Sequence, residues 1–342
     1  MLVSIYSILH LLVDGVCALA MFGRFALTEH WGWSLLIYNF CAFALQMPLG
    51  TVIGLFGKKQ KSMAYPFAVL GVLLTMIGAF TNPLLLGIGN ALFHVGGGVD
   101  VIREDRLRTW KGSALGIFVA PGALGLYLGT QFAKNIDANS YNVILIATGI
   151  LMSIGIFLLF RMDRKEKKIL QHTDGKISKG TILFIMCCFL VVILRSYIGM
   201  AVSFPWKTTV WIGLLSVLAV VFGKMAGGIL AARIKVKKVV IVSLLLAAVG
   251  YLLSETMFGG MSALFFFNMT MPITLYLLVE ELKDLPGFSF GLLTFGLFLG
   301  FLPVYFDMKM PIDATLLGAV GSIVSLALLM AAVKLKGDGN SD

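Results

Sequence analysis

The chain has little charge for its length. Only 13% of its 342 residues are Asp, Glu, Lys or Arg, whereas 59% are hydrophobic, and the mean hydropathy is +0.95. A soluble domain of this size carries far more charged surface, so the composition excludes a soluble globular protein. It is the composition of a membrane protein with several spanning segments.

Cysteine is also scarce, and the common enzyme motifs are missing. The four cysteines lie in apolar stretches, with neither disulfide nor zinc-site spacing: Cys17, Cys41, Cys187 and Cys188. We interpret them as small buried hydrophobic residues. The sequence has no Gly-rich phosphate loop and no nucleophile elbow. We therefore expect no enzymatic activity, no cofactor and no bound metal.

Long polar segments are rare, and between the short ones lie twelve apolar runs that are long enough to span a bilayer. We number them spans 1 to 12; their limits are 2–23, 33–56, 63–81, 84–102, 112–133, 142–160, 181–202, 208–231, 237–254, 260–279, 288–306 and 313–334. The first lacks a small-residue cleavage site, so we expect a spanning helix and not a removable signal peptide.

The longest polar stretch divides the chain into two similar parts. We predict an N-terminal six-helix bundle over 1–160, a basic cytoplasmic linker over 161–180, and a C-terminal six-helix bundle with a short tail over 181–342. Spans 2 and 8 end alike, in GTVIGLFGKK and GILAARIKVKK. Such repetition is typical of transporters that are built from two related halves.

The positive charge is concentrated on one side of the predicted bundle. Of the 27 basic residues, 21 lie in the loops after even-numbered spans or in the C-terminal tail. This bias predicts that these loops and both termini are cytoplasmic, with the protein in the cytoplasmic membrane. The formal net charge of +10 therefore reflects contact with the lipid bilayer, and we expect no nucleic-acid partner.

Span 4 contains the most informative stretch, LLLGIGNALFHVGGGVDVIR at 84–103, with His94 at its centre. An ionisable side chain at that depth is costly unless it faces protein or a wet cavity, so His94 is a functional candidate. The glycines that follow, Gly96, Gly97 and Gly98, allow a neighbouring helix or a ligand to approach the backbone closely.

Three short motifs are similar to those of one transporter family. Span 1 carries His10 and Asp14 in the pattern H-x-x-x-D, and span 4 carries FH at 93–94, followed across a basic turn by GSALGIF at 112–118. The turn into span 11 reads LPG at 285–287 and then GLL at 291–293. Together with the two six-span halves, these motifs resemble the major facilitator superfamily and, within it, the group that contains the fosmidomycin-resistance exporters.

The resemblance implies an all-α fold of twelve transmembrane helices in two pseudo-symmetric halves, with spans 1, 4, 7 and 10 around a central cavity. It also implies a secondary active transporter that works by alternating access. We expect a monomer that exports a small organic solute by proton antiport. Two alternatives stay open: proton-coupled uptake of a metabolite, and a membrane protein that binds a ligand without transporting it.

The chain also departs from the family pattern. Gly54 and Ala232 stand where the superfamily motif after spans 2 and 8 carries an aspartate, so the carboxylate of the inner gate is missing from both copies. The antiporter motif of span 5 normally reads glycine-proline, and here Ala120 precedes Pro121 and Gly122. We assign Pro121 and Gly122, with the three glycines of span 4, to the gate and packing surfaces.

The cavity-lining spans hold few ionisable residues. His10 and Asp14 are four residues apart and share a helix face. At 1.5 Å per residue, Asp14 lies about 18 Å from the inner end of its span and His94 about 15 Å from the outer end of its own. Both are near the midplane of a core about 30 Å thick. We predict that Asp14, His10 and His94 couple proton movement to transport; a purely structural cluster and a metal site are the alternatives.

Substrate contacts are predicted on spans 7 and 10. Arg195 either reaches the outer headgroups or offers a cation to an anionic substrate. Asn268 and Thr270, beside Pro272, provide polar groups near mid-depth, with an interhelical hydrogen bond as the alternative role for Asn268. Lys224, near the inner end of span 8, is expected to extend to the headgroups.

Overall fold

Twelve helical segments form the bundle in the described part of the chain. The structure is a computed structural model in which residues 1–57, 63–135, 137–162, 178–308 and 312–338 are described. The first half comprises α1 (Leu2–Gly23), α2 (Trp31–Asn39) with α3 (Gln46–Gly57), α4 (Ala64–Phe80), α5 (Pro83–Leu107), α6 (Ser113–Val119) with α7 (Pro121–Asn135), and α8 (Ala138–Phe160). The second half comprises α9 (Lys179–Ala201), α10 (Val210–Arg233), α11 (Val236–Leu252), α12 (Met257–Asn268) with α13 (Thr270–Glu281), α14 (Pro286–Tyr305) and α15 (Ala314–Asp338).

Among the described residues, three spans are interrupted, and each interruption lies near a proline. A π-helical turn, Phe40–Ala44, joins α2 to α3 just before Pro48. Pro121 separates α6 from α7, and Pro272 follows the break between α12 and α13. Proline has no backbone N–H, so each one removes an i→i−4 hydrogen bond from its span.

Most of these segments are long and apolar enough to cross a membrane. Ten have at least 18 residues and a sufficiently hydrophobic window, and Ala64–Phe80 is a shorter apolar helix. Val236–Leu252 also has 17 residues and completes the twelve. Large apolar side chains such as Ile146, Leu183 and Val242 are exposed on the outside of the bundle. The protein is therefore a multi-pass membrane protein, and the predicted number of spans is confirmed.

The two halves meet closely at the end of the bundle that carries the basic loops. Gly50 of α3 lies against the backbone of Gly287 in α14, and Gly116 of α6 lies against Gly228 of α10. Small residues permit this approach because no side chain separates the two backbones. The linker predicted at 161–180 lies largely outside the described residues, since 163–177 are not among them.

Candidate functional site

A buried row of polar side chains joins α1 to α5 in the first half. On α1, Tyr6, His10 and Asp14 follow at four-residue spacing and therefore share one face. Asn82 caps α5, and its side chain accepts a hydrogen bond from the backbone N–H of Leu85 at 2.9 Å. From that start α5 runs antiparallel to α1 and presents its own polar groups to the same face.

The row has three levels. The Tyr6 hydroxyl donates to Asp100 Oδ2 at 2.6 Å. The rings of His10 and His94 lie edge to face with centroids 4.4 Å apart. At the third level Asp14 accepts a hydrogen bond from the side-chain amide of Asn90 in α5. The structure therefore brings together the three residues that were predicted to form the proton-coupling cluster.

Asp14 is the centre of this cluster. His10 Nε2 lies 3.2 Å from Asp14 Oδ2, and His94 Nε2 lies 3.5 Å from Asp14 Oδ1. The amide of Asn90 donates to Asp14 Oδ1 at 3.1 Å. All four side chains are buried. A carboxylate removed from water needs such partners, because an unpaired buried charge costs several kcal/mol or more.

The two histidines are oriented by backbone carbonyls. His10 Nδ1 lies 2.8 Å from the carbonyl oxygen of Phe118, and His94 Nδ1 lies 2.8 Å from that of Asn90. A carbonyl oxygen only accepts hydrogen bonds, so in both rings Nδ1 carries the hydrogen. Each Nε2 is then a bare acceptor in the neutral ring, and each faces an oxygen of Asp14.

The same three residues are the set within the described ranges that could hold a metal ion. One ligand atom from each of His10, Asp14 and His94 lies within 4.8 Å of the others. Both rings donate Nδ1–H to a carbonyl, which is also how second-shell groups orient metal-binding histidines. The geometry thus fits a metal as well as a proton, and the predicted absence of a metal stays a prediction.

The helix break at Pro121 provides carbonyls to this site. Pro121 has no N–H to bond to the carbonyl of Ile117, which instead accepts from the Ser7 hydroxyl at 3.2 Å. The next carbonyl, of Phe118, accepts a hydrogen bond from His10 Nδ1, and the carbonyl of Val119 accepts one from Lys224 Nζ. The sequence prediction placed Pro121 at a gate or packing surface, and the structure shows that its helix break contacts the cluster.

Gly122, the residue after that proline, lies directly on the cluster. A Cβ atom added at Gly122 would lie 2.5 Å from Asp14 Oδ2 and 2.7 Å from His10 Cδ2. Real Cβ atoms are essentially never found so close to other atoms. A side chain at Gly122 would displace Asp14 and His10, so this position must be glycine for the cluster to form as it does.

The three glycines of α5 serve three different contacts. Gly96 lies against the α4 backbone at Ala64 and Ala68. A Cβ on Gly97 would be 3.0 Å from the Tyr6 ring, and one on Gly98 would be 2.8 Å from the ring of Phe290. The close approach that was expected over this turn is present: Gly96 packs within the first half, and Gly98 packs against the second.

A second set of charged residues lies in the other half. Arg195 of α9 is buried, 9% exposed, and lines a cavity between the halves. The other lining residues are Val119, Val192, Met271, Leu275, Phe290, Leu293, Thr294 and Leu297. Of the two roles left open for Arg195, the structure favours the cavity-facing one, because a side chain that reached the headgroups would be exposed.

The expectation for Lys224 was wrong. Its side chain does not extend to the headgroups but is buried, 9% exposed, and its Nζ donates to the carbonyl of Val119 at 3.4 Å. Close packing of α10 on α6 through Gly116 and Gly228 turns this face of α10 towards the interior. Lys224 is therefore hydrogen-bonded to a residue that also lines the Arg195 cavity.

Asn268 and Thr270 are not brought to this cavity. The Asn268 amide donates to the carbonyl of Leu264 at 2.8 Å, and the Thr270 hydroxyl donates to that of Phe267 at 2.7 Å. Both side chains bond to the helix on which they lie, at the break between α12 and α13. Their predicted contact with substrate stays a prediction.

Charged groups do connect the halves at the basic end, although the family's gate aspartates are missing. Arg106 of α5 donates to the carbonyls of Val279, at 2.5 Å, and Lys283, at 2.8 Å, and its Nε lies 3.7 Å from Glu280. Its neighbour Asp105 accepts from the backbone N–H groups of Gly112 and Ala114 at 2.7 and 2.9 Å. Sequence reasoning missed both residues because they lie at the end of α5 and not at the family's gate position.

Sequence reasoning also missed Asn90, Tyr6 and Asp100. A usable signal was present: Asn90 lies one helical turn before His94, and Tyr6 lies one turn before His10. Polar residues that follow at this spacing through an apolar span share a face, and that face is expected to be turned away from lipid.

Comparison with known proteins supports the architecture. No family model matches the sequence, and a search of curated proteins finds no match. Solved structures do match over nearly the whole chain. The major facilitator superfamily transporter FucP in the outward conformation aligns with a TM-score of 0.68 and 11% identity, over 96% of this chain and 97% of that one. The fold is that of the major facilitator superfamily.

A second structure gives the same result. A variant of the E. coli fucose:proton symporter FucP aligns with a TM-score of 0.63 and 12% identity, over 97% of this chain and 98% of that one. The predicted twelve-helix fold is confirmed. Identities this low establish the fold alone, so the narrower likeness to the fosmidomycin-resistance exporters stays a prediction.

Proposed function

We propose that the protein is a proton-coupled secondary transporter that moves a small organic solute across the membrane by alternating access, with Asp14, His10 and His94 as its proton site. One observation carries this proposal: each histidine presents a bare Nε2 to a carboxylate oxygen of Asp14. Two acceptors at such distances repel each other unless a hydrogen lies between them. The cluster is therefore stable only when it holds at least one proton.

The cluster has room for a second proton. One proton, shared between Asp14 and either ring, gives a formally neutral cluster, and a second at the other contact gives a charge of +1. Burial disfavours the charged state, and hydration favours it. Alternating access would change the hydration of this site, so its proton affinity would differ between conformations. Such a difference is what coupling requires.

The proposal also includes the direction of solute transport. Export by proton antiport is the first candidate, from the resemblance of the sequence motifs. Uptake by symport is the second, and it is favoured by the structural likeness to a protein described as a fucose:proton symporter. The direction of solute flux under an imposed pH gradient in liposomes separates the two.

The test of the proton site is Asp14→Asn in liposomes. Asparagine keeps the size of the side chain and can still donate to a bare Nε2, but it cannot exchange a proton. We expect solute exchange at equal pH to persist and accumulation driven by a pH gradient to be lost. His94→Gln leaves the Asp14–His10 pair in place and should shift the pH optimum without abolishing transport.

The matched control is Asp100→Asn, which removes another buried carboxylate of the first half, one that accepts a hydrogen bond from Tyr6 and lies 4.0 Å from Arg103. It should retain pH-driven accumulation in the fraction of protein that folds. Accumulation by Asp14→Asn at the parental level, with unchanged pH dependence, would show that Asp14 is a packing residue. Ligand binding without any flux in the parent would instead identify a non-transporting binding protein.

A further inference from the structure

The second half of the protein holds two buried cations that form no ion pair with an acidic side chain in the described part of the chain. Arg195 and Lys224 are each 9% exposed. The ion pairs formed by described residues use Asp14, Asp100, Arg106 and Arg108 with their partners, and neither buried cation takes part. The Nε of Arg195 is buried without a hydrogen-bond partner.

An arrangement of this kind is costly unless an anion compensates it. A buried charge without a partner costs several kcal/mol, and arginine cannot escape the cost by losing its proton. Asp14 forms no ion pair with Arg195, and its two oxygens contact His10, His94 and Asn90. We propose that Arg195 and Lys224 bind the anionic head of the transported solute.

The surroundings of Arg195 define the rest of the ligand. The cavity is lined mainly by apolar side chains, including Val192, Met271, Leu275 and Phe290, with Thr294 as a polar neighbour. The planar guanidinium suits carboxylate, phosphonate and sulfonate groups, to which it can donate two parallel hydrogen bonds. The lining therefore fits a small organic anion with an apolar body, of which the cavity in this conformation, at about 30 Å³, holds only a part.

The position of the cavity fits the transport cycle. Its lining comes from α9, α13 and α14 of the second half and from Val119 in α6 of the first half. The same Val119 accepts a hydrogen bond from Lys224, and the preceding carbonyl, of Phe118, accepts from His10. The anion site thus adjoins the proton cluster across the helix break before Pro121. That the bound anion is a transported substrate rests on the proposed function, whereas binding of the anion at this site can be tested without transport.

The experiment is a binding titration of the purified protein at pH 7 with benzenesulfonate, benzylphosphonate and phenylacetate. The neutral benzenesulfonamide and the cationic benzyltrimethylammonium are the comparison ligands. We expect at least one of the anions to bind, and the neutral and cationic ligands to bind at least about tenfold more weakly, because they cannot form the charge-assisted hydrogen bonds that an anionic group forms with a buried cation. If no anion binds more tightly than benzenesulfonamide, the proposal is overturned.

The decisive variants are Arg195→Met and Lys224→Met. An apolar side chain of similar length removes the buried charge, and such replacements are often neutral or stabilising, so both proteins should fold. Anion affinity should fall at least about tenfold in each, while thermal stability is retained. Arg233→Met, which removes an exposed cation from the end of α10, is the matched control and should bind like the parent.

Two outcomes separate this inference from the proposed function. Anion binding that depends on Arg195, without flux under a pH gradient, would leave the anion site standing and remove the transport proposal. Flux under a pH gradient, together with a folded Arg195→Met variant that binds the anion as tightly as the parent, would remove the anion site and leave the transport proposal standing.

Discussion

Gly97 is the position at which the effect of a substitution on packing can be separated most clearly from its effect on transport. A Cβ there would be 3.0 Å from Tyr6 Cδ1 and 3.4 Å from Phe118 Cζ, so alanine is accommodated only by a small movement. Leucine adds three more carbon atoms in the same direction. The Tyr6 ring is fully buried, and its hydroxyl is bonded to Asp100. Gly97→Leu must therefore displace Tyr6 and break that bond.

The loss of stability expected in Gly97→Leu follows from the packing of Gly97 on Tyr6 and from the hydrogen bond between Tyr6 and Asp100. Overpacking a filled interior costs about 1–3 kcal/mol. Losing a buried hydrogen bond to a charged group costs about 1.5–3 kcal/mol more. Gly97→Ala should be nearly neutral, because alanine gains up to about 1 kcal/mol of helix propensity over glycine and this offsets the tight contact. Since Tyr6 lies one turn from His10, the displacement also reaches the pair of His10 and Asp14.

The assay compares thermal stability in detergent with transport per folded protein in liposomes. We expect Gly97→Leu to fold in reduced amount and to lose most of its transport even after correction for folded protein. Gly199→Leu is the matched control, because a Cβ on Gly199 meets nothing within 4 Å and that residue is exposed. Transport by Gly97→Leu at the level of this control would show that the glycine run is incidental.

Three further predictions concern topology, the basic end and the cation at Asp14. Single cysteines at Asn139 and Lys168 should label from opposite sides of the membrane, because the basic loops are predicted to be cytoplasmic; labelling of both from outside intact cells would refute this topology. Arg106→Gln removes hydrogen bonds between the halves that come from a charged donor and contribute about 1.5–3 kcal/mol each. We therefore expect a cysteine placed at the buried Ser289 to become several-fold more reactive towards a reagent added from the basic side. Unchanged reactivity would mean that the glycine contacts alone hold this end closed. Treatment with EDTA should leave transport unchanged, because the proposed mechanism has a proton, and not a metal ion, beside Asp14. A stoichiometric metal whose removal stops transport would replace the proton in this mechanism.

The sequence alone predicted the spans, the division into halves and part of the proposed proton site. Hydropathy over about 20 residues responds to membrane thickness, so it locates spans without any knowledge of their neighbours. The pairing of His10 with Asp14 also follows from local geometry, because residues four apart share a helix face. The cost of a buried ionisable group is general as well, which is why His94 could be identified before any contact was known.

Only the tertiary structure decided which way each helix face points and what it meets. A lysine near a helix end can reach the headgroups or turn inward, and the choice for Lys224 depends on the approach of Gly116 to Gly228, more than 100 residues apart in the chain. The carbonyls released near Pro121 likewise have partners on α1 and α10 that no local pattern specifies. Helical periodicity fixes which residues share a face, whereas the rotation and depth of that face depend on packing against other helices.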